Sequence, residues 1–174
     1  MNEHEIDKLA VRRAFSRAAS HYDADAVLQR EICSRMLERL DFIKLQPACI
    51  LDAGSGTGWG ARQLQQRYQS AQIVALDIAL GMLHEMRSPS ENALARWWHK
   101  LLGGREQHAL CADVEALPLA RASVDLVWSN LALQWCNDLP QTFVELHRTL
   151  KVGGLVMFST FGPDTLKELR AAFH

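Results

Sequence analysis

The feature that most constrains this chain is the alternation of short apolar runs with segments that favour helices. Five runs have the length of buried strands, at residues 49–53, 73–77, 108–113, 124–130 and 155–161. Helical segments separate or follow these runs. They lie at 57–68, between the second run and about residue 86, at 138–154 and after Pro163. The segment 138–154 is expected to begin at the N-cap Asp138 and to end on Gly153-Gly154. Such alternation forms right-handed βαβ units, so the sequence predicts an α/β fold with a parallel sheet and helices on both faces.

The start of the chain has a different character, because it favours helices without an intervening apolar run. These helices are expected at 5–19 and 24–43. Pro47 then separates them from the first apolar run. We therefore predict a helical arm or lid at 1–46 and a ligand-binding core at 47–174. The core is expected to carry an inserted amphipathic helix within about 88–107.

Composition excludes several classes of protein. The chain has 174 residues, 48% of them apolar, which fits one globular domain. Its net charge is −1, so the sequence predicts no nucleic-acid or membrane partner. The start, MNEHEIDKLAVRR, lacks the apolar region of a signal peptide, and no run approaches the roughly 20 apolar residues of a bilayer span, so the cytoplasm is the expected location. The scattered cysteines and histidines form no C-x-x-C or H-x-x-x-H pattern and predict no metal site.

The run ILDAGSGTGWG at 50–60 is an apolar strand followed by a glycine-rich turn. A dinucleotide-binding dehydrogenase needs G-x-G-x-x-G, but Trp59 stands where the third glycine belongs. A phosphate-binding Walker loop needs a Gly-Lys pair, and the sequence contains none. The turn instead follows Asp52, an acid that would repel a pyrophosphate and attract a positive group. These residues favour S-adenosylmethionine (SAM), which carries an ammonium and a sulfonium and no phosphate.

Acidic residues also end the next two apolar runs. Asp77 closes the second run, where a carboxylate can accept hydrogen bonds from both ribose hydroxyls. NAD sites use the same arrangement, so Asp77 alone does not discriminate. Asp113 closes the third run, where it could accept the adenine amine while the Val114 N–H meets a ring nitrogen; a helix N-cap is the alternative role. Three acids at three successive strand ends predict one ligand site at the carboxyl edge of the sheet.

Five stretches together resemble the Rossmann-type SAM-dependent methyltransferases: ILDAGSGTG, LDIALGML, CADVEALPL, DLVWSNLALQW and LKVGGLVMFSTFG. The resemblance covers residues 48–162 in the order of that family. It implies SAM as the cofactor and a set of residues that contact it. These are Asp52, Gly54, Gly56 and Gly58 at the methionine part, Asp77 and Ile78 at the ribose and adenine edges, Asp113 and Val114 at the adenine, and Asn130 and Leu131 under the sulfonium.

Other stretches resemble a narrower family, the malonyl-acyl carrier protein O-methyltransferases of early biotin synthesis. They are FSRAASHYD at 15–23, LQR at 28–30, SNLALQWC at 129–136 and FSTFGPDTLKELRAAF at 158–173. The resemblance implies methyl transfer from SAM to the free carboxyl of a malonyl thioester on an acidic carrier protein. That carboxyl is already ionised at neutral pH, so no general base is needed and no catalytic residue is assigned. Arg170 is the expected cation for the carboxylate, with Lys167 the weaker candidate and a solvated helix face the alternative.

Some residues of these stretches have two interpretations each. Tyr22 is expected to be a lid residue near the sulfonium, although an interior packing residue would look the same. Gln134 and Trp135 would line the acceptor pocket, with a core position as the alternative for Trp135. Gln29 or Arg30 could reach the methionine carboxylate, with a position on the helix surface as the alternative. Two basic clusters could dock the acidic carrier protein or form solvated faces, namely Arg12, Arg13 and Arg17, and Arg96, Lys100 and Arg105.

The methyltransferase family normally has seven strands, whereas this chain supplies five. The run LVMFSTF at 155–161 would then be an exposed apolar edge, which predicts either a fragment or another chain that covers it. The sequence leaves the oligomeric state open. It also leaves three functions open: the carrier-protein methyltransferase, a related SAM enzyme for a small carboxylate or a quinone-like carbon, and a SAM-binding fragment without catalysis.

Overall fold

One parallel sheet of five strands organises the described part of the chain. The computed structural model describes residues 5–87 and 107–162, together with residues 164, 165, 167 and 171. The strands are β1 (Cys49–Ala53), β2 (Gln72–Asp77), β3 (His108–Cys111), β4 (Val124–Asn130) and β5 (Leu150–Ser159). They lie in the order β3-β2-β1-β4-β5, and each neighbouring pair is parallel. The predicted sheet is confirmed, and its strand order reverses between β1 and β4, where such sheets bind ligands.

In the described part of the chain, five helices cover the sheet or connect its strands. They are α1 (Lys8–Asp25), α2 (Val27–Arg39), α3 (Trp59–Arg67), α4 (Leu80–Arg87) and α5 (Leu139–Thr149). Short 3-10 turns follow α2 at Leu40–Phe42 and β4 at Leu133–Trp135. The predicted insertion at about 88–107 lies outside the described residues, apart from residue 107.

The first helix is longer than its sequence pattern predicts. α1 begins at Lys8 because the Asp7 side chain accepts the first free backbone N–H groups, at 2.9 and 3.0 Å. It continues to Asp25 rather than ending near residue 19, and only Ala26 separates it from α2. The two helices therefore form an almost continuous segment that reaches from the edge of the sheet into its core.

Apolar side chains cover both faces of the sheet. In β1, Ile50 and Leu51 are fully buried and point to opposite faces. Ile50 packs in a cluster that α2 and α3 complete, with Cys33 and Trp128 among its members. Leu51 packs in a second cluster, which includes Leu146 of α5. Each such burial contributes about 1.5–3 kcal/mol, so α2 is held to the same core that stabilises the central strand.

The end of α5 and the start of β5 differ from the sequence expectation. Asp138 caps α5 as predicted, since its side chain accepts a backbone N–H at 2.8 Å. The helix ends at Thr149, however, and Gly153 and Gly154 lie inside β5. β5 bulges there, because it advances by five residues between two pairings while β4 advances by two. Gly153 has a φ of +79°, and a Cβ on Gly154 would lie 2.9 Å from the Asp125 carbonyl, so both glycines serve the bulge.

Candidate functional site

A cavity opens at the carboxyl edge of the sheet, beside the point where the strand order reverses. Residues at or just after four strand ends form its floor: Ala53, Gly54, Asp77, Ala112, Asn130 and Leu131. Its walls are mostly apolar, from Leu76, Ile78, Met82 and Val114. One face of α1 forms its roof, through Lys8, Val11, Phe15 and Tyr22. A mainly apolar pocket with a few placed polar groups is typical of a small-molecule site.

The glycine-rich loop is hydrogen-bonded to the end of β2. The N–H groups of Gly54 and the next residue donate to the Leu76 carbonyl at 2.8 and 2.9 Å. The Gly56 N–H donates to the Asp77 carboxylate at 2.8 Å. Gly54 has a φ of +79°, and a Cβ on it would lie 2.2 Å from the Ala132 Cβ. Glycine is therefore required at this position, and bare backbone faces the cavity.

Asp77 lines the cavity at the end of β2. Its Oδ2 accepts the Gly56 N–H and its Oδ1 accepts the Ala79 N–H, each at 2.8 Å. Burial raises the pKa of Asp77, and these two hydrogen bonds limit the rise. Each carboxylate oxygen has a second lone pair, so the fixed carboxylate can still accept hydrogen bonds from a ligand.

Asp52 does not line the cavity, in contrast to the sequence prediction of a contact with the positive group of a ligand. It is only 2% exposed and pairs in register with Trp128, so both side chains lie on the α3 face of the sheet. Asp52 Oδ2 and Trp128 Nε1 have no hydrogen-bond partner within the described residues, and an added Cβ on Gly60 would lie 3.2 and 3.3 Å from them. Burial, and then the charge of Asp77, raises the pKa of Asp52 to about 7, although the Ala61 N–H opposes the rise.

Lys8 joins the roof to the turn after β3 by an ion pair with two carboxylates. Its Nζ lies 2.5 Å from Asp113 Oδ2 and 2.7 Å from Glu115 Oε2. The prediction that Asp113 closes β3 is wrong, because β3 ends at Cys111, two residues earlier. Asp113 lies in the following turn, and its Oδ1 accepts the Glu115 N–H at 3.0 Å. Burial lowers the pKa of Lys8, but the hydrogen bonds and charges of both carboxylates raise it overall. Asp113 therefore lines the cavity and is held by α1 through Lys8.

Aromatic side chains complete the roof. Phe15 meets Trp135 edge-to-face at a centroid distance of 5.4 Å, and Tyr22 at 6.2 Å. Tyr22 lies above the glycine-rich loop, since its Cε1 would be 3.9 Å from a Cβ on Gly56. Burial, and then the charge of Asp77, raises the pKa of Tyr22. Trp135 is 42% exposed and lines the cavity, so the core alternative for this residue is wrong.

Asn130 and Leu131 fix the end of β4 beneath the cavity. Asn130 Nδ2 donates to the Gln29 carbonyl, and its Oδ1 accepts the Ser159 hydroxyl, both at 2.8 Å. Leu131 has a φ of +51°, a conformation that costs a leucine energy and concentrates at functional sites. The Gln134 amide donates to the Leu131 carbonyl at 2.6 Å, and Gln134 does not line the cavity.

Most of the residues that the sequence predicts at the site surround this one cavity. Those that line it are Tyr22, Gly54, Gly56, Asp77, Ile78, Asp113, Val114, Asn130, Leu131 and Trp135. Those described but absent from the lining are Asp52, Gly58 and Gln134. Arg170 lies outside the described residues, as do Arg96, Lys100 and Arg105. The sequence reasoning missed Lys8, Val11 and Phe15, whose spacing of three and four residues marks one face of a helix.

Arg12, Arg13 and Arg17 of α1 are all exposed. Within the described ranges, no group of three or more His, Cys, Asp or Glu side chains is arranged to hold a metal ion. None of the helices described here is both long and apolar enough to cross a bilayer.

Known proteins resemble this chain in sequence. A family model described as "Methyltransferase domain" matches residues 51–158. The malonyl-[acyl-carrier protein] O-methyltransferase of Gallionella capsiferriformans is 69% identical over 173 residues, which are 99% of this chain and 58% of that protein. The protein of the same name from Methylovorus sp. is 58% identical over 167 residues, 96% of this chain and 55% of that protein. This chain thus spans just over half the length of these relatives.

Solved structures share the fold at lower identity. The methyltransferase in a complex with the Trm112 activator of Haloferax volcanii matches with a TM-score of 0.68 and 22% identity, covering 84% of this chain and 59% of that one. A Methanococcus maripaludis protein described as SAM-dependent methyltransferase matches with a TM-score of 0.60 and 21% identity, covering 99% and 73%. These similarities establish the arrangement of strands and helices.

Proposed function

The chain belongs to the methyltransferase domain family, and from this membership we propose that it transfers a methyl group from SAM to the free carboxyl of a malonyl group on acyl carrier protein. The observation that carries the proposal is the 69% identity to a malonyl-[acyl-carrier protein] O-methyltransferase over 99% of the chain. The methyl ester would mask a charge at an early step of biotin synthesis, which would take place in the cytoplasm.

The polar groups of the cavity suit the adenosine part of SAM. The Asp77 carboxylate accepts from two backbone N–H groups and keeps lone pairs for both ribose hydroxyls, with Ile78 beside it. Asp113 and the Val114 N–H would hold the adenine edge, between the apolar walls of the cavity. Lys8 is the one cation that lines the cavity among the described residues, and it is paired with Asp113. The carboxylates of this cavity accept hydrogen bonds and carry negative charge, so the cavity does not suit a phosphate.

The methionine part of SAM would lie over the glycine-rich loop. Gly54 and Gly56 present backbone there, and Asn130 and Leu131 would lie under the sulfonium. When bound, SAM supplies an electrophilic methyl group next to its positive sulfur. Asp52 would act without contact: its buried carboxyl group lies behind the loop, and a cation bound on the other side would favour its ionised form.

The acceptor requires placement rather than proton transfer. A malonyl carboxylate is ionised at neutral pH, so the enzyme must bring one oxygen to about 3–3.5 Å from the methyl carbon and exclude water. Tyr22 and Trp135 wall the cavity on the α1 side, where the acceptor would enter. Arg170 remains the proposed partner of the carboxylate, because a desolvated anion needs a cation.

The exposed side of α1 would receive the carrier protein. Arg12, Arg13 and Arg17 are exposed on this helix, which also forms the roof of the cavity. Positive side chains beside an entrance attract an acidic partner and orient it.

The test is the intact mass of malonyl-acyl carrier protein after incubation with the chain and SAM, with malonyl-CoA and free malonate in parallel. We expect a gain of one methyl ester on the carrier thioester and much less on the two small acceptors. Equal methylation of all three would overturn the carrier assignment. No methylation, despite calorimetric binding of S-adenosylhomocysteine (SAH), would overturn the transfer reaction.

The control variants separate the site from the scaffold. Asp77→Asn should abolish methylation, because the amide cannot accept both backbone N–H groups and still serve the ribose. Asp125→Asn changes a carboxylate at the start of β4, at the opposite edge of the sheet, and should leave transfer intact. Loss of activity in both variants would indicate damage to the fold rather than to a cofactor site.

A further inference from the structure

Helix α1 crosses the mouth of the cavity and is fastened at three places. Near its start, Lys8 reaches the turn after β3. In its middle, Ser16 touches α4 so closely that a Cβ on Gly81 would lie 2.7 Å from the Ser16 carbonyl. At its end, the Thr57 hydroxyl donates to Asp23 at 2.5 Å, which ties the helix to the glycine-rich loop. The roof is therefore one rigid element held at both ends and near the centre.

The attachment at Lys8 connects three separate segments. Glu115 Oε2 accepts from Lys8, while its Oε1 accepts the Asn137 N–H at 2.5 Å. Asn137 in turn donates its side-chain amide to the Ile6 carbonyl at 3.0 Å and accepts the Ile6 N–H at 2.8 Å. The start of α1, the turn after β3 and the loop before α5 thus meet around one lysine. Within the described residues, this network closes the adenine end of the cavity.

The burial of this ion pair distinguishes it from a solvated pair. The side chains of Lys8, Asp113 and Glu115 are 23%, 31% and 17% exposed, respectively. The Arg35–Glu31 pair on α2, at 71% and 57% exposure, shows the solvated kind that contributes little. Removing one partner of a poorly solvated pair leaves the other charges unmatched, so the Lys8 network is costly to open.

We propose that Lys8 is a positioning residue for the cofactor: by bridging Asp113 and Glu115 it holds α1 closed over the adenine end and fixes the Asp113 carboxylate towards the adenine amine. This inference rests on the proposed SAM site. Release of the cofactor requires the start of α1 to lift, and the bridge must break for that to happen. Lys8 therefore controls how long the cofactor stays bound, and it takes no part in methyl transfer itself.

Two variants of Lys8 and one control test this role. Lys8→Met keeps an unbranched apolar stem and removes the charge, whereas Lys8→Arg keeps the charge. Lys151→Met removes a comparable lysine, whose Nζ lies 2.9 Å from Asp125 Oδ1 beside the start of β4. The measurements are the dissociation rate of SAH by stopped-flow fluorescence and the hydrogen exchange of amides in residues 8–15 of ligand-free protein.

We expect Lys8→Met to release SAH about three- to tenfold faster than wild type, and Lys8→Arg to restore most of the difference. Amide exchange in the first turns of α1 should accelerate in Lys8→Met alone, which a general loss of stability would not produce. Release and exchange equal to those of Lys151→Met would overturn the proposal. If wild-type protein does not bind SAH, the proposed cofactor site fails, and the exchange of ligand-free α1 still decides whether Lys8 closes the roof.

Discussion

Asp52 provides a test of the electrostatics beneath the glycine-rich loop. Its side chain is 2% exposed, and one oxygen has no hydrogen-bond partner within the described residues. Burial, followed by the charge of Asp77, raises its pKa from 3.8 to about 7. The unfolded chain therefore releases this proton at a lower pH than the folded protein does. Stability is highest while Asp52 is protonated in both states, falls as the pH rises from about 4 to 7, and is constant above that.

The size of the effect follows from the two pKa values. A difference of about three pH units, at about 1.4 kcal/mol per unit, gives a cost of about 4 kcal/mol above pH 7. Roughly half of this cost is already present at about pH 5.5, because the unfolded state is ionised there. In Asp52→Asn the neutral amide avoids this cost. The free energy of unfolding of the variant, relative to that of wild type, should therefore rise by about 2 kcal/mol as the pH increases from about 5.5 to 8.5.

The assay is urea unfolding of wild type and the variants by circular dichroism, from about pH 3 to about pH 8.5. Asp125→Asn is the control with the opposite sign. Although burial raises the pKa of Asp125, Lys151 and two backbone N–H groups lower it overall. This variant should be less stable than wild type near neutral pH, with a deficit that shrinks as the pH falls below the usual range of an aspartate. Parallel stability curves for wild type and Asp52→Asn would refute the burial of an unmatched carboxylate.

Three further predictions follow from the backbone and from Asp77. Gly54→Ala should weaken SAH binding at least tenfold by calorimetry, because the new Cβ would collide with Ala132. Gly153 has the same φ of +79° but nothing within 4 Å of an added Cβ. Gly153→Ala should therefore lower the free energy of unfolding in urea by only about 1–2 kcal/mol. Ala122→Gly should raise the free energy of unfolding by about 0.5 kcal/mol, because Ala122 is exposed at a φ of +52°; a loss would contradict this. Asp77→Asn should raise the Kd for SAH at least tenfold, and an unchanged Kd would exclude it from the site.

The sequence predicts the sheet well because its signal is local. Each strand is a short apolar run, and an all-parallel sheet with short connections leaves few possible orders. The boundary between α5 and β5 could not be found in this way. Gly153 and Gly154 are as suitable for a β-bulge as for a helix stop, and the pairing of β5 with β4 decides between the two.

The site shows the same limit. Asp77 could be placed because it is the last residue of β2, and it lines the cavity. Asp52 precedes Ala53 at the end of β1, and the alternation of side chains turns it to the α3 face, so its position near the loop in sequence does not give it contact with the cavity. The role of Lys8 could not be predicted from the sequence, for another reason. Its carboxylate partners are more than a hundred residues away in sequence, and only the packing of α1 on the sheet joins them.

The close contact between Ser16 and Gly81 has a mechanical consequence. Because no side chain separates the two backbones, Ser16 is a natural pivot for α1. Lys8 lies eight residues before it, or about 12 Å along the helix axis, and Tyr22 lies six residues after it, about 9 Å away. A seesaw rotation of about 10° would lift the lysine end by about 2 Å and lower the tyrosine end by about 1.5 Å. Opening the adenine end would then press Tyr22 towards the glycine-rich loop, so the two ends of the roof cannot open together while the helix stays rigid.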